Sequence, residues 1–130
     1  MMRALILCFS LLTTPLVAQQ LEIRFLDVGQ GDAVLVREGG KTALVDAGGS
    51  ARIASYLQSS HIDTIDLLVA SHNHADHIGG MAAVFQSAVV RFYLDNGVPA
   101  TTAIYQRTMA AVTSSGTQYL RATARTITLG

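Results

Sequence analysis

His72, His74, Asp76 and His77 bring three of the chain's four histidines and one carboxylate into six consecutive positions, in "SHNHADHIGG". Side chains two apart in extended backbone point the same way, so His72 and His74 can converge on one cation. Asp76 and His77 follow where Gly79-Gly80 signals a tight turn towards a helix, and that reversal can aim a second pair at a neighbouring point. Imidazole with carboxylate suits zinc, and also manganese or iron, better than calcium or copper(I). A polar surface loop with Asp76 as a helix cap would also use these residue types. Three histidines in six positions, directly after the apolar run "IDLLVA", weigh against that alternative. The fourth, His61 in "SSHID", reads as an ordinary loop histidine.

These residues need elements to hold them. "LEIRFLDV" alternates apolar positions and predicts a strand over 21–28. "GQGD" is a turn, and "AVLVRE" and "KTALVD" are strands joined by Gly39-Gly40 as a hairpin. Ser50 is a candidate N-cap for a helix over 51–59, with Ile53, Tyr56 and Leu57 on one face. "IDLLVA" is short enough for a strand buried on both faces, and "GGMAAVFQS" is helical after its glycines. "VVRFYLD" is a strand, "ATTAIYQRTMAAVTSS" a helix closed by Gly116, and "TQYLRA" and "RTITLG" two short strands. Strands first, then alternating helices and strands, imply a sheet covered by helices.

The N-terminal "MMRALILCFSLLTTPLVAQQ" has a basic residue at Arg3, an apolar stretch over 4–12, and a break at Pro15 before Ala18. That is the layout of a secretory signal peptide over 1–18, which predicts export to a periplasmic or extracellular space and no membrane span once it is removed. The remaining 19–130 are long enough for one domain at most. Cys8, the only cysteine, lies in the signal, so the mature chain has no disulfide framework and no thiolate ligand. Half the residues are hydrophobic and 14% are charged, a globular composition. Nine basic against nine acidic residues give no whole-chain field for an anionic partner. A metal can still supply local positive charge.

The run from His72 to His77 matches the H-x-H-x-D-H signature of the metallo-β-lactamase fold superfamily. With "FLDVGQGDAVLV" and "ALVDAGG", the chain resembles the metallo-β-lactamase-like domain of ComEC-type DNA-internalisation (competence) proteins and their free-standing relatives. The resemblance implies an α/β fold, the αββα sandwich, of which this chain is expected to cover the N-terminal half. It implies two zinc ions, His72 and His74 holding the first, Asp76 and His77 the second, with Asp76 also available to accept a proton. Asp46 is implied to orient the ligand loop; a turn-forming Asp before Gly-Gly is the other reading of that residue. Asp32 matches a feature of the branch with either a structural or a substrate-facing role. Asp63 and Asp66 read as turn or strand-entry residues.

The implied activity is metal-assisted hydrolysis, with a phosphodiester in nucleic acid or nucleotide as substrate class. The family draws further ligands from its second half, whereas here no histidine follows His77 and Asp95 is the sole later acid. Catalytic zinc sites use three protein ligands and a water. A non-catalytic fragment or metal-binding module is therefore the rival expectation, and a secreted β-lactamase a second one.

Overall fold

The computed structural model describes residues 20–123; the signal-like segment and the expected strand "RTITLG" lie outside them. Six strands form one mixed sheet in which spatial order equals chain order. They are β1 (Glu22–Phe25), β2 (Val34–Glu38), β3 (Lys41–Val45), β4 (Thr64–Val69), β5 (Val89–Asp95) and β6 (Gln118–Arg121). The first three are antiparallel, and β3 to β6 run parallel. Each parallel step is bridged by helix: α1 (Arg52–Ser59) after β3, α2 (Ala75–Ile78) and α3 (Met81–Ser87) after β4, and α4 (Ala103–Ser114) after β5.

The two faces of the sheet differ in what covers them. Leu35, Leu44, Leu68 and Tyr93 lie side by side across β2 to β5 and are almost wholly buried. They share one core with Ile53 and Leu57 of α1, Ile78 of α2, Met81 and Val84 of α3, and Val112 of α4. All four helices therefore pack on the same face. On the other face, Phe25, Val34, Val45, Val69, Leu94 and Leu120 form one row across all six strands. Ile23, Val36, Ala43, Leu67, Phe92 and Gln118 form the next. None of these twelve belongs to the helix-covered core, and Phe25 is 83% exposed. Among the described residues, the chain supplies one helical layer and one β-layer.

Three local details depart from the sequence expectations. β1 ends at Phe25 rather than continuing to Val28, because Val28 turns inward and is buried in the core. The N-cap of α1 is Ala51, and no side chain caps it; Ser50 Oγ lies 3.4 Å from the Arg52 amide. Asp66 is no strand-entry residue. Ile65 and Leu68, three apart, both enter the core, and the ladder to β5 skips the position between them, so the alternation breaks at Asp66. Its carboxylate accepts the Thr42 N–H at 2.9 Å and faces Lys41 at 3.4 Å and Arg91 at 3.1 Å.

Other elements follow their local signals. Thr102 caps α4 by accepting the Tyr105 amide at 3.3 Å, and Gly116 beyond its end takes φ +72°. Gly79 and Gly80 keep right-handed helical angles as the chain passes from α2 to α3. Close approach explains the second of them: a Cβ there would sit 2.2 Å from the Ala47 carbonyl oxygen.

Candidate metal centre

The carboxyl ends of β3 and β4 lie side by side, and the loops leaving them carry most of the chemistry, as in other sheets with parallel neighbours. Asp46 is the first residue beyond β3 and has φ +60°, a conformation that Asp tolerates better than most residues. Its amide donates to Val69 O at 2.8 Å, which extends the parallel ladder by one bond and buries the residue. Ala47 N donates to His77 O at 2.8 Å and Gly80 N to Gly48 O at 3.0 Å. The loop after β3 is thus bonded along its length to the histidine segment.

Asp46 spends both carboxylate oxygens on that segment. Oδ1 accepts the Ser71 amide at 2.8 Å; Oδ2 accepts the Ser71 hydroxyl at 2.6 Å and faces His77 Nδ1 at 2.8 Å. A carboxylate only accepts, so His77 carries its proton on Nδ1 and turns Nε2 outward. Ser71 Oγ, its own proton given to Asp46, lies 3.0 Å from His72 Nδ1 and can accept from it. One buried acid therefore sets the tautomer of His77 directly and of His72 through Ser71. Both Nε2 lone pairs are left available to a cation.

The rings gather at one place. The His72 centroid lies 4.5 Å from that of His74 and 3.9 Å from that of His77. His74 is the extended N-cap of α2, and His77 is one helical turn later, with Asp76 between them in the first turn. Asp76 Oδ2 lies 3.7 Å from His77 Nε2. The hydrogen bond to Asp46 raises the pKa of His77; partial burial opposes this, and the charges of Asp46, Asp76 and Asp32 add to the rise.

Imidazole and carboxylate are donor types that a divalent metal ion takes, but among the described residues no three His, Asp or Glu side chains are placed to hold one ion together. Both nitrogens of His74, Nε2 of His72 and His77, and the Asp76 carboxylate make no hydrogen bond to the described residues, although all lie in one cluster. His61 stands apart: it lines a separate cavity with Arg37, Lys41, Asp66 and Arg91 at the opposite ends of β3 and β4. Asp63 bonds the Thr64 hydroxyl, and Asp95 is buried where it accepts Gly97 N and Tyr119 OH, each at 2.7 Å. Sequence reasoning missed Ser71. A hydroxyl immediately before a histidine cluster was the available signal, but its partner Asp46 lies 25 residues away.

A family model described as the metallo-beta-lactamase superfamily matches residues 26–95. Recombination protein 2 of Haemophilus influenzae is 34% identical over 92 residues, 64% of this chain and 12% of that protein. This relative agrees with the ComEC-like resemblance, and the chain spans only a small part of its length. The crystal structure of a new diphosphatase from the PhnP family aligns with a TM-score of 0.52 at 24% identity. That alignment covers 75% of this chain and 39% of the other, and it shows a shared fold.

Proposed function

The chain belongs to the metallo-β-lactamase superfamily, and from that premise we propose that it is an exported, zinc-dependent hydrolase of phosphodiester bonds in nucleic acid or nucleotides. The observation that carries the reading is the convergence of His72, His74 and His77 with Asp76, their ring tautomers set by Asp46 and Ser71. In it His72 and His74 hold a first zinc ion, and Asp76 and His77 a second. When bound, zinc acidifies water enough to supply a nucleophile at neutral pH and polarises the scissile group.

The chain's own residues do the positioning. Asp46 holds the protons on the Nδ1 side of the rings. Asp76, 42% exposed and accepting no hydrogen bond from the described residues, is free to take up a proton during the reaction. The phosphodiester assignment draws support from the ComEC-like motifs and from the relative called Recombination protein 2. Export rests on the three-part layout of residues 1–18.

The test uses the purified full chain, its zinc content and its turnover of bis(p-nitrophenyl) phosphate. Zinc-dependent hydrolysis, lost together with bound metal when His72 and His74 are both replaced by alanine, is expected. Zinc binding without turnover would favour the metal-binding module. Rapid nitrocefin hydrolysis would move the substrate to a β-lactam.

A further inference from the structure

The end of the sheet opposite the histidine segment holds a cavity of about 320 Å³, whose lining includes Arg37, Lys41, His61, Asp63, Asp66 and Arg91. The strand register brings these charges together. Arg37, near the close of β2, pairs with Thr42 near the start of β3. The Thr42 N–H is held at 2.9 Å by Asp66 of β4, and Arg91 of β5 lies 3.1 Å from the same carboxylate. Neighbouring strands from β2 to β5 thus contribute to one charged lining. The turn that follows α1 adds His61, whose φ of +52° is one that His adopts more readily than most residues.

The cations of this lining outnumber its acids. Arg37, Lys41 and Arg91 carry three positive charges against the carboxylates of Asp63 and Asp66. Asp66 divides its own charge: Oδ2 accepts the Thr42 N–H, and Oδ1 faces both Lys41 at 3.4 Å and Arg91 at 3.1 Å. Burial alone would raise its pKa, yet that N–H and the two cations hold the carboxyl below its usual range. Asp63 has Oδ1 bonded to the Thr64 hydroxyl at 3.0 Å. Arg37 is the least satisfied: it faces Glu22 Oε2 at 3.9 Å, and Glu22 Oε1 already accepts from Arg24. Its guanidinium makes no hydrogen bond to the described residues, and neither does the His61 ring. All three cations are half-exposed, so a ligand reaches them from solvent. Like charges gathered on one cavity repel unless an anion lies between them.

The cavity falls at the small end of the roughly 300–1,000 Å³ of small-molecule sites, and its charged lining selects a charged occupant. Guanidinium forks match phosphate oxygens through paired N–H donors, and an ammonium adds a point charge. A phosphate group has enough oxygens to meet donors arriving from β2, β3 and β5 at once. We propose that the cavity is a binding site for a phosphate group, inorganic or on a small monoester, held by Arg37, Lys41 and Arg91 with an N–H from His61. The site lies at the far end of the strands from the metal centre and does not rest on the hydrolase reading.

The experiment is an NMR titration of the metal-free full chain, following backbone amides at constant pH and ionic strength. Inorganic phosphate, phenyl phosphate and acetate are added in separate series. Saturable shifts at Arg37, Lys41, His61 and Arg91 are expected with phosphate, and little response to acetate. Tighter binding of phenyl phosphate would assign a monoester as the ligand; equal or weaker binding would assign free phosphate. Arg37→Gln removes no side-chain hydrogen bond, so the fold is expected to persist, and circular dichroism checks it. That variant should bind phosphate at least about tenfold more weakly. Lys41→Gln repeats the comparison on a second donor, with a loss in the same direction. Wild-type affinity in both variants would overturn the site. So would acetate binding as tight as phosphate, a response that never saturates, or shifts confined to the segment from Ser71 to His77.

Discussion

Asp46 and His77 are 31 residues apart in the chain and 2.8 Å apart in the fold, joined at Oδ2 and Nδ1. That contact ties the end of β3 to the short helix after β4. It decides which nitrogen of His77 faces outward.

Replacing Asp46 by Asn should weaken zinc binding about 10- to 100-fold, the range for residues that orient a ligand. Asn tolerates the positive φ at this position, so backbone strain is not the cause. Ser71→Ala should act in the same direction but less strongly, because it frees His72 and leaves the bond to His77 intact. Competition with a chromophoric chelator measures both; equal affinity in wild type and Asp46→Asn would contradict the orienting role.

In the metal-free chain, His77 should make stability depend on pH. Its pKa is raised in the folded state, chiefly by the hydrogen bond to Asp46, and ordinary His titrates near 6.5. The stabilisation is fully present below about 6.5, where the unfolded chain is also protonated, and is lost as pH rises through the folded value. The same proton must leave before Nε2 and Nδ1 can settle into the neutral, metal-binding tautomer. NMR titration of the ring resonance in wild type and Asp46→Asn gives the check: the ring should titrate at lower pH in the variant.

Asp66 offers a stability test far from the centre. Burial would raise its pKa, but the Thr42 N–H, Lys41 and Arg91 outweigh it and hold the carboxyl below its usual range. The stabilisation is therefore present above about pH 4 and lost as pH falls through the folded value. Asp66→Ala leaves the buried Thr42 amide without its acceptor and should cost about 1–3 kcal/mol at pH 7. Chemical denaturation measures the loss, while zinc affinity should not change.

The apolar rows opposite the helices predict self-association. Patches of this kind on a soluble chain mark contact surfaces or aggregation sites. Light scattering of the full chain should show species larger than a monomer at micromolar concentration. Phe25→Lys, at an 83% exposed position on the edge strand, should shift the distribution towards monomer.

The sequence was most readable where local pattern and tertiary need coincide. The short run "VVRFYLD", rich in β-branched and aromatic residues, and the glycine after α4 marked elements that formed as expected. Gathering of the three histidines was also legible, since their spacing is local. What escaped was set by distant partners. Ser71 acquires a role only once Asp46 is beside it, and the contacts of Asp66 depend on Thr42 in the adjacent strand. Yet a lone charge inside "TIDLLV" already demanded a partner, and that demand was the sign of the irregularity. For Asp32, the turn was evident, but its approach to His77 at 4.0 Å required the meeting of Gly31 with the Asp76 backbone.

The agreement between chain order and strand order bears on how the molecule is made. Each strand, as it leaves the ribosome, finds its neighbour already synthesised and waiting at the sheet edge. Every residue gathered at the centre lies between Asp46 and His77, so its parts have all emerged before β5 and α4 are translated. The bonds from Asp46 to Ser71 and His77 then act as an early staple on a nascent chain, joining two loops before the last two described strands are made.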